Sequence, residues 1–291
     1  MIGVDEILDA LQVTVYSGAV KNEKPLSVGL MASIGSGKTS MVKKAASKTE
    51  IVTQTLPAKG NEKPRVVQVR KINGSVLYAT SCTPYALHSR YGEELKKGHI
   101  KHIVIPDFLS IWNLPKYQMM GVIFFYNSLI EEGIMSIESR DSRFLCEIPV
   151  TCGLITTIAK GDFTKRQGDV AATGFLSRLL PFSFRYKDST SKQIREAAKL
   201  REYLIDSTNF NITLPPEQEI DLPLEPADII EEVAMRTKDK EDDVGVRRQK
   251  QLGVFCMGNA LMNGRDTVNS EDTNKLLRYE KYINWDCSAE I

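Results

Sequence analysis

The residues Ala32-Ser33-Ile34-Gly35-Ser36-Gly37-Lys38-Thr39 have the types and spacing of a cradle for phosphate groups. Two glycines let the chain turn so that backbone N–H groups converge on anionic oxygens, and a helix opening at Lys38 adds the positive end of its dipole. Lys38 would reach the β and γ phosphates of a nucleoside triphosphate such as ATP, and Thr39 would ligate Mg2+ through its hydroxyl. Ser33, Ile34, Gly35, Ser36, Gly37, Lys38, Thr39 and Ser40 are therefore the candidate binding residues, with Ala32 where the pattern usually has a first glycine.

Such a loop works only between a strand and a helix. Pro25 to Met31 (PLSVGLM) reads as a buried strand, and Lys38 to about Ser47 reads as the helix. Further along, Asp107 closes the apolar run HIVIPD, where a strand-terminal carboxylate would face the metal and its water. Phe108 follows at the position where many hydrolytic enzymes of this kind carry a water-polarising Glu, so binding is better founded than hydrolysis. In CGLITTIA, Thr156 and Thr157 end a strand, either as core threonines or with a hydroxyl that senses the γ-phosphate.

Two arginine positions belong to the same reading. Arg178, in GFLSRLLPFSF, either pairs with a buried carboxylate or reaches a neighbouring subunit's nucleotide, where such a finger contributes about 10³–10⁵ in turnover. Arg247 and Arg248 open a helix spanning about Val244 to Met262, from which one of them would lie over the γ-phosphate or, equally, stay at the surface.

The elements that position these groups alternate. A helix is expected around Asp5 to Leu11, β structure over Arg65 to Ser81 with a turn at Asn73-Gly74, and a helix over Leu87 to Lys97. A helix falls within Gln118 to Gly133 and a strand pair within Ser142 to Ala159. This is an α/β pattern: a three-layer αβα core whose mostly parallel sheet is covered on both faces. After a charged helix at Lys187 to Tyr203 and a proline-punctuated connector at Asn209 to Pro226, only helices follow, the last capped by Asn269. The expected division is a lead-in at 1–24, a nucleotide-binding core with its connector at 25–225, and a small all-helical domain at 226–291. The run KDKEDD (Lys238 to Asp243) reads as a solvated turn.

Composition narrows the class. With 291 residues, 42% hydrophobic and 26% charged, the chain is long enough for a large domain and a small one and too apolar to be disordered. The formal net charge of +1 argues neither for nor against a nucleic-acid partner, so any such contact needs a local basic patch. Five scattered cysteines without a C-x-x-C pair read as reduced thiols, and His88, His99 and His102 have no metal or catalytic spacing. No apolar run reaches the roughly 18 residues of a membrane span and the opening lacks a signal-peptide pattern, so a cytoplasmic location is expected.

Taken in order, these segments resemble the AAA+ ATPase module, within it the minichromosome-maintenance helicase and MoxR-type branch. That branch runs from a Walker B strand through a helix ending in an acidic pair, a β-hairpin, a sensor strand and a Ser-Arg step. Here the order reads HIVIPD, SLIEEGIMSI, SRFLCEIPV, GLITTIA and FLSRLLPF, and Arg247 precedes VNSED (Val268 to Asp272) at the spacing of the family's lid arginine. The resemblance implies a P-loop at Ser33 to Ser40 for ATP and Mg2+, Asp107 as the Walker B acid and Thr157 as the sensor where Asn is usual. It also implies Arg178 as a finger acting on a neighbour, Arg247 as the second sensor and a homo-oligomeric ring such as a hexamer. The implied function is an ATP-driven motor or loader acting on DNA in replication or recombination, with the basic stretch Lys160 to Arg166 as a candidate contact and Arg140, Arg143 and Phe144 in a hairpin loop that would touch either DNA or a neighbouring subunit. The alternatives are a nucleotide-switched assembly protein with weak hydrolysis and a remodelling chaperone acting on protein. Phe108 and Thr157 depart from the family pattern.

Overall fold

The computed structural model of the chain describes residues 1–56, 65–80, 83–139, 142–171, 173–200, 209–239 and 242–291. In chain order its elements are α1 (Asp5–Tyr16), β1 (Val28–Ala32), α2 (Lys38–Ala45), β2 (Lys48–Leu56), β3 (Arg65–Asn73), β4 (Val76–Tyr78) and α3 (Pro84–Lys96). Then come β5 (His102–Ile105), α4 (Leu109–Trp112), α5 (Lys116–Asn127), a π-helical turn at Ser128–Glu132, β6 (Ile134–Ser139), β7 (Ser142–Val150) and β8 (Gly153–Ala159). The remainder is α6 (Lys160–Ala171), a 3-10 turn at Leu176–Arg178, β9 (Leu180–Ser183), α7 (Asp188–Lys199), α8 (Leu224–Thr237), α9 (Val246–Met262) and α10 (Ser270–Tyr279).

The short all-apolar runs become the middle of the molecule. β4, β5, β8, β1 and β9 lie side by side in that order, every pairing parallel. Alternation along the strands divides their side chains between two cores. Val28, Leu30, Val104 and Ile155 face one with α1, α2 and the C-terminal helices, whereas Met31, Ile103, Ile105 and Ile158 face the other with α3 to α6. The α/β class and the parallel sheet covered on both faces are therefore as expected. Among the described residues no helix is long and apolar enough to cross a membrane.

Local pattern and structure differ in three places. The helix after the glycine loop stops at Ala45, and the Thr-rich segment behind it forms β2, which pairs antiparallel with β3 outside the main sheet. Gly74, at φ 135°, then turns the chain back so that Ser47 bonds Val76 and β4 enters the sheet edge. The strand pair in 142–159 is divided, β7 forming a hairpin with β6 while β8 joins the sheet. α1 runs on to Tyr16 through Val13, Thr14 and Val15, a stretch whose β-branched residues argue against helix. Tertiary packing overrides that preference: α9 approaches so closely that a Cβ on Gly258 would lie 2.8 Å from the Val13 carbonyl.

The C-terminal helices share the apolar core of α1, with Ile7, Leu11, Val233, Phe255 and Leu276 in one cluster. Tyr279 donates to Asp9 at 2.7 Å and Tyr282 to Glu6 at 2.6 Å. The Asn269 cap forms as expected, in a capping box completed by Asp272. Asp272 is fully buried and accepts from Arg265 at 2.6 and 2.8 Å and from Asn259 at 2.5 Å. Asp272→Ala leaves the buried Asn259 amide without this acceptor and removes the shorter of Arg265's two carboxylate contacts, and is expected to cost about 3 kcal/mol, read as a lowered urea midpoint with unchanged m-value.

His102 carries a pH dependence. It is fully buried on β5 with Nε2 directed at the Leu26 carbonyl at 3.2 Å, and Gly153 is required beside it, since a Cβ there would lie 2.5 Å from the ring. Burial pushes its pKa down to about 3. The folded ring stays neutral to about pH 3 while the unfolded ring protonates below about 6.5, so stability is full above that value and falls as pH drops through this window. The expected slope is about 1.4 kcal/mol per pH unit, seen in urea midpoints between about pH 6 and pH 4 and flattened by His102→Asn.

Candidate functional site

The glycine loop leaves β1 at its C-terminal end and enters α2 directly. Gly35 and Gly37 take φ of +79° and +80°, the left-handed region that other residues avoid, and a Cβ on Gly35 would meet nothing within 4 Å. Lys38 folds back into the loop, its ammonium donating to the carbonyls of Ala32 at 2.9 Å and Ser33 at 2.7 Å, with Ser36 Oγ at 3.4 Å. Ser36 and Lys38 are buried, while Ser33, Ile34, Gly35, Gly37, Thr39 and Ser40 are exposed, Ile34 at 83%. The Tyr186 hydroxyl donates to the Ser36 carbonyl at 2.9 Å, and burial pushes its pKa up to about 12, so that bond persists across ordinary pH. No local pattern pointed to Tyr186, which lies 150 residues from its partner.

Burial lowers the Lys38 pKa, and Asp107 is the main charge that opposes the fall, followed by Cys287 and Asp162. Cys287 contributes little near neutrality, because burial pushes its thiol up and keeps it uncharged. Asp162 lies in the first turn of α6, and Ala159 ahead of it is paired with Ala32, so α6 and the glycine loop leave the sheet side by side.

Asp107 reaches this end of the sheet from β5, with β8 between it and β1. Its side chain is exposed, and Oδ1 accepts from Leu109 N at 3.0 Å. Thr156 and Thr157 are both buried and donate to Ile105 O at 2.8 Å and Pro106 O at 2.6 Å, while Phe108 N donates to Thr157 O. Thr157 therefore ties down the backbone that presents Asp107. Phe108 is fully buried, stacked on Phe175 at 4.6 Å and edge-on to Trp112 at 5.6 Å.

Arg178 and Arg247 meet each other rather than the glycine loop. Arg178 Nε lies 2.5 Å from Glu131 Oε2, its NH2 lies 3.7 Å from Glu132, and NH1 donates to Gly174 O at 2.8 Å. Arg247 donates to both oxygens of Glu131 at 3.1 and 3.4 Å and to Ser177 Oγ at 2.8 Å. Glu131 is the residue that sequence reasoning missed; its acidic pair was legible, its role as the shared partner was not. Arg248 is buried and bound to Gln251 at 3.0 Å and Asp239 at 3.4 Å, which draws part of the KDKEDD run out of solvent.

The hairpin expectation needs correction. Phe144 is buried, lying against Gly92 with Lys96 Nζ 5.1 Å from its ring centre, so it cannot stack on a base. Its inward direction follows from the packing of α3 on β7. Arg140 lies outside the described residues; Arg143 pairs with Glu138 through the backbone, and its side chain is outside them too. Within Lys160 to Arg166, Lys160 is bonded to Asp286 O and Arg166 to Trp112 O.

The geometry defines an α/β protein whose parallel sheet gathers an exposed glycine turn, a helix N-terminus, an inward-folded lysine and a carboxylate at one end, a receptor suited to a tetrahedral anion. No protein-family model matches the chain, and a search of curated proteins finds no match.

Proposed function

We propose that the chain is a P-loop ATPase of the AAA+ kind, binding ATP and Mg2+ on Ser33 to Ser40 and working as a homo-oligomer. The observation that carries this reading is the Lys38 ammonium held over a left-handed glycine loop within electrostatic reach of Asp107, two strands away. The residues fit the ligand: Gly35 leaves open space, Thr39 is exposed at the first turn of α2, and Asp107 is exposed at its strand end. Mg2+ held by Thr39 and Asp107 would neutralise charge on the transferring phosphoryl group. Lys38 would exchange two carbonyls for phosphate oxygens, and Thr157 would keep Asp107 in position. The finer assignment, a motor or loader acting on DNA, is supported by the order of motifs alone.

Phe108 favours a second reading, a nucleotide-switched assembly protein that hydrolyses slowly, because a ring sealed in the core stands where a water-polarising carboxylate would be. Phosphate release with ATP and Mg2+, with and without single- and double-stranded DNA, separates the two. Release stimulated by DNA supports the motor; tight binding with release no faster than about one turnover per hour supports the switch. Absence of ATP binding overturns both.

A further inference from the structure

Residues 284–291 return to the sheet and lie along its outer edge. β9 is the outermost strand, and the residues that follow it pair with this segment: Arg185 N donates to Ala289 O at 2.8 Å, Ile291 N to Arg185 O at 3.0 Å and Lys187 N to Ile291 O at 2.8 Å. We propose that residues 284–291 are a strap that positions the glycine loop, acting through Tyr186, whose hydroxyl fixes the peptide unit between Ser36 and Gly37. That the loop so held receives a triphosphate rests on the ATPase reading; the strap and its grip on the loop do not.

Tyr186 stands between Arg185 and Lys187, so the bonds that seat the strap also fix its backbone, and its ring packs edge-on to Phe184 at 5.5 Å. Its hydroxyl donates to Ser36 O at 2.9 Å. A trans peptide holds its C=O and N–H antiparallel, so drawing the Ser36 carbonyl toward Tyr186 turns the Gly37 N–H the opposite way. That N–H has no acceptor among the described residues, and it stands directly ahead of α2, where a backbone donor adds to the helix dipole in holding an anion. Gly35 and Gly37 have little conformational preference of their own, so the loop needs an outside contact to keep one arrangement. Tyr186 supplies it as a positioning residue, touching the loop from behind.

The strap is anchored on the strand that leads into the loop. Cys287 Sγ donates to Met31 O at 3.7 Å, and a Cβ on Gly29 would lie 2.5 Å from the Trp285 ring, so β1 carries glycine where the indole crosses it. Trp285 stacks on Phe163 of α6 at 5.3 Å, and Lys160 Nζ donates to Asp286 O at 3.1 Å. Ser183 Oγ donates to Asn284 Oδ1 at 2.5 Å and accepts from Cys287 N at 3.0 Å, and Asn284 Oδ1 also accepts from Asp286 N at 3.1 Å. Cys287 holds φ +57°, a left-handed conformation that persists in a residue with a side chain only where the surroundings fix it.

The test titrates the full chain with ATP and Mg2+. Tyr186→Phe keeps the ring and removes the hydroxyl, and is expected to weaken ATP binding about fivefold, the worth of one hydrogen bond. Asn284→Ala removes the strap's contact with Ser183 at a partly exposed position and should weaken binding about threefold. The double variant should bind no more weakly than Tyr186→Phe alone, because the strap acts through that hydroxyl. Thermal melting checks that each variant is folded. Losses that multiply in the double variant, or the absence of a loss in either single variant, overturn the proposal. Amide order parameters of Ser36 and Gly37 without nucleotide test the grip separately: they should fall from about 0.85 toward 0.6 in both single variants. If the parent chain fails to bind ATP while the order parameters fall, the strap's grip stands and its link to a nucleotide falls with the ATPase reading. Order parameters unchanged in both variants overturn the proposal.

Discussion

Lys38→Ala is expected to weaken ATP binding at least about 100-fold and to abolish any phosphate release, while changing folding stability by no more than about 1 kcal/mol. The two effects separate because the ammonium does little for the fold. It is buried, its pKa is lowered by desolvation, and the carbonyls it bonds are those of Ala32 and Ser33 in a loop that ends at an exposed turn. Two hydrogen bonds to a charged group stabilise, burial of the charge costs a comparable amount, and the net is small. A bound triphosphate changes the balance, since the same ammonium then faces several negative charges in a partly dry site. Fluorescent-nucleotide titration and urea denaturation on the same two proteins measure both quantities. A large loss of stability alongside retained binding would falsify the assignment of Lys38 as a ligand.

The second large effect is at Phe108. Supplying the carboxylate that hydrolytic relatives of the proposed class carry, by Phe108→Glu, is expected to destabilise the protein by about 5 kcal/mol or more and not to raise turnover. The ring is fully buried and packs on both Phe175 and Trp112, so the substitution removes aromatic packing and places an ionisable group in an apolar pocket. Phe108→Leu keeps the site apolar and should cost about 1–2 kcal/mol. Urea midpoints of the two variants decide the matter. A well-folded Phe108→Glu protein that releases phosphate faster than the parent would mean that residue 108 can turn outward beside Asp107.

What was legible in the sequence was what local chemistry dictates. Gly35 and Gly37 announce a backbone that only glycine adopts readily, and an apolar run ending in Asp107 announces a buried strand with a polar tip. The Asn269 cap and the alternation of strands and helices were readable for the same reason. What escaped depends on distant partners. The segment behind α2 became β2 by pairing with β3, and Phe144 turned inward because α3 packs on its hairpin. Arg178 carried two readings that nothing within a few residues could separate; its carboxylate partner is Glu131, which is partly exposed rather than buried, while Arg178 itself is 15% exposed.

The clasp between α1 and the C-terminal helices also governs how the chain is made. α1 is amphipathic and shares its apolar cluster with α2, the sheet and the C-terminal helices, and its carboxylates Asp9 and Glu6 bond Tyr279 at the end of α10 and Tyr282 in the turn that follows, 270 and 276 residues downstream. At ordinary synthesis rates of roughly 5–20 residues per second, α1 waits on the order of 15–55 seconds for those partners to emerge. Throughout that interval Ile7, Leu11 and Val15 lack the part of their cover that α9 and α10 supply, which makes the nascent α1 a natural segment for a holding chaperone and closure of this clasp a late event in folding.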